Sequence, residues 1–262
     1  MDKRISCLVI SFNEESNIIR LLESLKRFSD VLVIDSGSSD KTIEIVSAYQ
    51  NSRIHYRRFD TFANQCNFGL QLLKTEWVLS LDADYILTKE LEDEISFMLL
   101  DNPSQTSLPY DAYYIPFRYC INGKAIRSGL LPPRVCLYRR KLARYIDIGH
   151  AHKVCIEGKV GRVKSSLLHD DRKSSWIWLK NQKRYQSIEA SMLMNTPTSL
   201  LPAQDKLRKH TCFAPFIVFF ICLVMRGGIL DGKEGLIYAF QRLVAESLLF
   251  LELHIENGQV QE

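Results

Sequence analysis

The sequence predicts an α/β fold, a mainly parallel sheet with helices on both faces, followed by a C-terminal helical tail. Three observations predict it. Over the first hundred residues, short apolar runs of strand length alternate with segments whose apolar residues recur at helical spacing. Three of these runs end on polar clusters: Ser11-Phe12-Asn13-Glu14, Asp35-Ser36-Gly37 and Asp82-Ala83-Asp84. After about residue 105 the rhythm changes to strands and turns, then to long helical stretches from residue 174. A β-α-β-α order implies parallel strands joined by right-handed crossovers.

The elements follow in order. "ISCLVIS" (5–11) is the first strand, and the next segment is a helix with Ile18, Ile19, Leu22 and Leu25 on its inner face. "VLVID" (31–35) is the second strand; Asp40 can cap the following helix, which turns Ile43, Ile45 and Val46 inward. "RIHYRR" (53–58) is the third strand, and Thr61 caps a helix running to Lys74. "WVLSL" (77–81) is the fourth, followed by a helix over 88–100. "DAYYIPFRYCI", "PRVCLYRR" and "KVCIEGKVGRVKSSLLH" read as strands and turns, and 174–196 and 203–256 as helical. The chain reads as a nucleotide-binding half over 1–110, a substrate-binding half over 111–172 and a helical tail over 173–262.

A chain of 262 residues, 46% of them apolar, can bury one large core with an appended element. Its net charge of +4 is uneven: residues 118–184 carry 17 Lys/Arg against 4 Asp/Glu, so that segment is +13 and the remainder −9. Such a basic middle third suits phosphate groups, on a substrate or a membrane surface. The seven cysteines are scattered with no C-x-x-C, against a disulfide framework or zinc site and for a reducing compartment. The first residues lack the apolar core of a signal peptide. The longest apolar run, 213–225, has 13 residues, short of the ~20 a spanning helix needs.

Ligands of open α/β sheets sit beyond the carboxyl ends of the strands, where the three polar clusters fall. Asp82 and Asp84 repel each other unless a cation joins them, and a hard divalent ion, Mg or Mn, would relieve that repulsion and neutralise a diphosphate. Gly37 allows a tight turn where a ligand approaches, and Asp35 could accept hydrogen bonds from a base or ribose. A D-x-D or D-S-G alone is commonly a turn or cap; their order after successive strands gives them weight.

The stretches "CLVISFNEESNIIRLLESL", "VLVIDSGSSDKTIEI", "QCNFGL" and "EWVLSLDADYIL" resemble the N-terminal half of a family 2 glycosyltransferase with the GT-A fold. The later "YYIPFRYCINGKAIRSG", "PRVCLYRRKLARY" and "GGILDGKEGLIYAFQR" are similar to bacterial members that build lipopolysaccharide cores and other surface glycans. The resemblance implies an inverting transferase that uses a nucleotide-diphosphate sugar, UDP favoured, and a divalent metal. Ser11, Phe12, Asn13, Glu14 and Asp35 fall on positions that hold the nucleoside, and Asp82 and Asp84 on the D-x-D that meets ribose, diphosphate and metal. Gln65 and Asn67 match a polar helix start; Cys66 stands where members often carry lysine, and Tyr85 where many carry glutamate.

An acceptor hydroxyl needs a general base. Related enzymes have a His-Glu pair near "DIGHAHKVCIEG", where this chain has His150 and His152 but no glutamate. His150 is the first candidate, because imidazole titrates near neutral pH; His152 and Asp147 follow. His169, Asp170 and Asp171 of "LLHDD" could orient the acceptor or supply the base, and Asp171 suits a cap for the helix near Ser174. An already ionised lipid phosphate would need no base.

In the tail, Pro215, Gly227 and Gly228 interrupt an apolar stretch that either packs on the protein or enters a membrane interface. Trp176 and Trp178, near Lys173, Lys180, Lys183 and Arg184, suit a headgroup boundary. The expectation is a peripheral protein on the cytoplasmic face of the inner membrane, with a glycan or lipid-linked acceptor and no nucleic-acid partner. Two other readings compete. One is a magnesium-dependent aspartyl-phosphate phosphohydrolase, with Lys153 or Lys164 and Asp170-Asp171 completing its site. The other is a non-catalytic membrane scaffold.

Overall fold

A computed structural model describes residues 4–100, 109–148 and 151–255, with the backbone alone at residues 100, 148, 151 and 152. The chain divides into two compact units. One is Met1–Ala125 with Leu131–Arg172, the other Ile126–Leu130 with Lys173–Glu262. Residues 126–130 thus group with the second unit.

The first unit runs β1 (Ile5–Ser11), α1 (Ile18–Ser24), β2 (Val31–Asp35), α2 (Thr42–Ser47), β3 (Ser52–Tyr56), α3 (Phe62–Leu72), β4 (Trp77–Asp82), β5 (Tyr85–Leu87) and α4 (Lys89–Leu100). It continues through β6 (Ala112–Ile115), β7 (Phe117–Ile121), β8 (Lys124–Ala125), β9 (Arg134–Arg139), β10 (Ala143–Ile148), β11 (Ala151–Ile156), β12 (Val160–Arg162) and β13 (Leu167–His169). Among the described residues, seven strands form one sheet in the order β12-β6-β9-β4-β1-β2-β3. β1 pairs in parallel with β2 and β4, and β2 with β3; β9 is antiparallel to both β4 and β6. The sheet is therefore mainly parallel. β5, β13, β7 and β8 form a smaller sheet, and β10 and β11 a hairpin.

Strand alternation places the helices. Ile5, Cys7 and Val9 of β1 and Val31 and Val33 of β2 join Leu21, Leu22, Val46, Leu91 and Ile95 in one core cluster, which puts α1, α2 and α4 on one face. Leu8, Leu32, Ile34 and Val78 join Ala63, Cys66 and Leu70 of α3 on the other, with Tyr145 and Val154 of the hairpin. Strands buried on both faces read as unbroken apolar runs, which is why β1, β2 and β4 stand out in the sequence. The inward positions shift within two helices. Ile19 and Ile43 are exposed, while Leu21 is fully buried. Both helices are short, six and seven residues, and their axes are set by Leu22, Leu25 and Val46 on the buried side.

Thr61 caps α3 as expected, accepting from the Asn64 amide at 3.2 Å. Asp40 accepts from the Thr42 amide at 3.0 Å at the start of α2. Asp171 does not cap the next helix. Its Oδ1 accepts from Asn17 Nδ2 at 2.9 Å, and the cap is the Ser174 hydroxyl, which accepts from the Ile177 amide.

The second unit contains α5 (Ser175–Asn195), α6 (Ala203–His210), α7 (Ala214–Phe220), a π-helical turn (Ile221–Met225), a 3-10 turn (Gly228–Asp231) and α8 (Lys233–His254). The helical stretch 203–256 is thus broken into pieces, one break falling at Gly227 and Gly228. At Gly227 the backbone takes φ +75°, which ends the helix at no steric cost only for glycine. α5 and α7 both pack along α8. Asp231 is buried and its Oδ2 accepts from the Arg127 and Ser128 amides at 2.8 and 3.1 Å, which anchors the 126–130 stretch.

Candidate active site

The first rim is where β1 and β2 end side by side, Ser11 opposite Asp35. Asp35 is 1% exposed and receives four hydrogen bonds: the Gly37 and Ser38 amides, both at 2.8 Å, reach Oδ1, and the Ser11 and Ser38 hydroxyls, at 2.8 and 2.6 Å, reach Oδ2. A carboxylate offers about four lone-pair sites. The expected contact from Asp35 to a base or ribose therefore finds no open lone pair; Asp35 folds the loop that surrounds it. Gly37 adopts φ +99°, and a Cβ there would press on the Tyr56 ring at 3.3 Å. Asn13 sits at φ 53° and its Oδ1 accepts from the Ser39 amide at 2.8 Å; the Glu14 amide donates to Thr42 Oγ1 at 2.8 Å, and Glu14 Oε2 accepts from Asn17. These bonds sew the two loops together and leave the Phe12 ring exposed beside them.

The polar start of α3 is also spoken for. Gln65 is buried, donating to Ser36 Oγ at 2.8 Å and to the Arg57 carbonyl at 2.9 Å. Asn67 donates to the Tyr145 carbonyl and accepts from the Tyr145 amide, both at 2.9 Å, so its amide docks β10 on α3 instead of meeting a nucleotide. Cys66 is buried; desolvation, with Asp82 and Asp147 adding, pushes its thiol well above the ordinary range and keeps it neutral. It supplies no cation where a lysine was expected.

The second rim is the end of β4. The Asp84 carbonyl accepts from the Asp170 amide at 2.9 Å, and β5 pairs with β13 so that Tyr85 lies opposite His169. This brings His169 Nε2 to 3.3 Å from Asp84 Oδ2. Burial pushes the imidazole pKa down, but the charge and hydrogen bond of Asp84, with Asp82 and Asp171 beyond, raise it above its ordinary value. The ring stacks on Tyr119, centroids 4.9 Å apart at 25°, and its Nδ1 is buried without a hydrogen-bond partner among the described residues. Tyr85, in the position of the missing glutamate, is a core residue. It packs edge-on against Phe117 at 5.0 Å, and its hydroxyl accepts from Arg134 Nη1 at 3.5 Å. The charges of Asp82 and Asp84 reach Arg134, whose pKa they help to raise after Tyr85.

The base candidates separate. His150 lies outside the described residues. His152 lies on β11 opposite Asp147 of β10, by backbone register. Asp147 Oδ1 accepts from the Ala63 amide at 3.1 Å, at the first turn of α3. Asp170 is buried and clamped: Arg172 Nε reaches both oxygens at 2.8 and 2.9 Å, and Arg20 Nε lies 3.4 Å away. Both of its oxygens are thus engaged by the protein's own arginines, which commits Asp170 to holding the structure.

Among the described residues, no three His, Cys, Asp or Glu side chains gather into a complete metal cage. What is present is a carboxylate and an imidazole facing each other at the sheet rim, with Asp82 two residues away in the chain. The carboxylate of that pair fits Mg²⁺ or Mn²⁺ delivered with phosphates, since such ions are held by one or two carboxylates and complete their shell from substrate oxygens and water. The sequence reading had taken His169 for an acceptor-side group. The structure sets it opposite Tyr85 and against Asp84, and the signal for that position was the same one that marked Asp82 and Asp84, a polar residue closing an apolar strand.

Comparison with known proteins gives the following. The model of "Glycosyl transferase family 2" matches residues 6–156. An uncharacterized glycosyltransferase of Rickettsia bellii is 32% identical over 150 residues, 56% of this chain and 50% of that protein, so here the chain spans about half of its relative's length. The lipopolysaccharide core biosynthesis glycosyltransferase LpsC of Rhizobium meliloti is 27% identical over 252 residues, 90% of this chain and 89% of that one. The crystal structure of S. aureus TarS 1-349 superposes with a TM-score of 0.51 at 15% identity, over 94% of this chain and 90% of the other, a likeness of fold.

Proposed function

The chain belongs to glycosyl transferase family 2, with the GT-A fold, and from that premise we propose that it is an inverting transferase. In this reading it moves a sugar from a nucleotide-diphosphate donor, UDP favoured, to a glycan or lipid-linked acceptor of bacterial surface polysaccharide or lipopolysaccharide. It works at the cytoplasmic face of the inner membrane, where a lipid-linked acceptor would lie. The observation that carries the reading is the pairing of Asp84 with His169 beside Asp82, at the carboxyl end of the fourth parallel strand.

Each group then has a task. Phe12 offers an exposed ring face to the base, and the loop folded around Asp35 holds that ring in place. Asp84, with His169 against it and Asp82 two positions earlier, would hold Mg²⁺ or Mn²⁺ together with the donor's phosphates. When bound, the ion stabilises the charge that develops on the leaving diphosphate. Arg134, within the field of both aspartates, adds a second positive charge on the leaving-group side. The acceptor hydroxyl attacks C1 from the opposite face and gives its proton to His150 or His152. The phosphohydrolase alternative loses support, because the Asp170 it would recruit is committed to Arg172 and Arg20.

Asp84→Ala should abolish transfer while the protein keeps its melting temperature, and chelation of divalent ions should do the same to the wild type. Transfer at the wild-type rate in that variant would defeat the assignment. If UDP and manganese bind but no lipid or glycan acceptor is ever glycosylated, the scaffold reading replaces this one. His150→Ala should lower turnover by roughly 10²–10⁴-fold, the usual loss for an acid–base group. A loss below about tenfold transfers the role to His152.

A further inference from the structure

We propose that the outer face of α7 and the two turns after it form a membrane-docking surface that seats in the interfacial layer of an anionic phospholipid bilayer. In giving the acceptor's membrane a docking face this inference rests on the proposed function, but its evidence lies wholly in the second unit. The segment inverts the usual pattern of a packed helix. It buries its small residues Ala214, Pro215 and Cys222, and turns Phe213, Phe216, Phe220, Val224 and Met225 to solvent. Phe213 is 65% exposed and Met225 79%. Phe213, Phe216 and Phe220 fall at helical spacing on one side. The 3-10 turn continues the same character, with Ile229 exposed and Leu230 at 72%. A contiguous run of large apolar side chains in water marks an interaction site. Among the described residues no helix is long and apolar enough to cross a membrane, so a bilayer would take this face at its surface.

Charge selects the occupant. From Lys206 to Leu230 the chain has Lys206, Arg208, Lys209 and Arg226 and no Asp or Glu. Arg208 is paired with Asp205 and Glu246, and Lys209 Nζ donates to the Leu193 and Thr196 carbonyls, so Lys206 and Arg226 are the exposed cations of the stretch. The next acid, Asp231, is buried and turned onto the 126–130 backbone. Cations flanking an apolar ridge match anionic headgroups above an acyl layer, and their long stems let the charges reach the phosphates while the rings sink deeper. A second copy of the same face would set these cations against their own kind.

The test is flotation of the full chain with phosphatidylcholine vesicles, with and without phosphatidylglycerol, alongside a UDP–Mn²⁺ binding assay. The wild type should float with phosphatidylglycerol vesicles at low salt and detach as salt rises. Phe216→Ser with Phe220→Ser should weaken vesicle binding by about tenfold or more, as expected for removing two inserted rings. The melting temperature and nucleotide binding should not move, because both rings are exposed. Lys206→Glu should weaken binding to anionic vesicles alone. A wild type that stays with the unbound fraction at low salt overturns the proposal, as does a double variant that floats equally well. So does a wild-type dimer that the double variant dissolves, which would make a second copy the occupant. Lost flotation with intact nucleotide binding sinks only this inference; the reverse sinks only the transferase reading.

Discussion

At the scale of single residues, acidic side chains that look alike in the sequence divide into two kinds. Asp35 and Asp170 are consumed by the protein: one by three donors of its own loop and the Ser11 hydroxyl of β1, the other by two arginines. Asp84 faces an imidazole at the rim. The difference predicts different failures. Asp35→Asn puts an amide NH2 where one carboxylate oxygen accepted two hydrogen bonds and should cost about 1–3 kcal/mol of stability by denaturant melting. His169→Ala should leave the melting curve nearly in place and weaken manganese-dependent UDP binding by about tenfold or more. The positions of Asp82, Asp84 and Asp35 were legible because each closes an apolar strand. Which of their lone pairs remain open was not, because that depends on partners from distant segments. Asn67 shows the limit well: its partner Tyr145 lies 78 positions away, and nothing local distinguishes a docking amide from a ligand-binding one.

At the scale of elements, the strands buried on both faces were read to within a residue, since an unbroken apolar run admits few alternatives. The short helices were not, because six or seven residues give the period too few turns to fix a face. The hairpin β10–β11 depends on Asn67, whose amide makes both contacts to the Tyr145 backbone. Asn67→Ala should leave those buried groups unpaired, lower stability by about 1–3 kcal/mol and speed exchange of the Tyr145 amide. The entry to β2 should carry a pH signature. Burial raises the Asp30 pKa, but hydrogen bonds from Arg53 and Ser6 and the charge of Arg53 outweigh it and hold the carboxyl below its ordinary value. A carboxyl depressed by folding contributes stability above its unfolded pKa, and that contribution is lost as the pH falls through its folded value. Asp30→Asn should therefore flatten the acid limb of the stability curve below about pH 4 and leave its shape near neutrality unchanged.

At the scale of the whole molecule, the first unit carries the sheet with its polar strand ends, and the second unit is helical with large apolar side chains exposed on α7 and the turns after it. The sequence announced both, the first by strand–helix alternation and the second by its apolar run. The interruption at Gly227 was legible too; that the run would expose its aromatic side was not, because exposure is decided by what α8 leaves uncovered. The central claim is that Asp84 and His169 together give the β4 rim its hold on a metal-bound nucleotide. Calorimetric titration of UDP, with and without Mn²⁺, into the wild type, Asp84→Ala and His169→Ala tests it most directly. The wild type should bind UDP tightly only with the ion present, and each folded variant should lose that ion-dependent gain. Equal affinities in all three proteins, or a wild type indifferent to Mn²⁺, would contradict it.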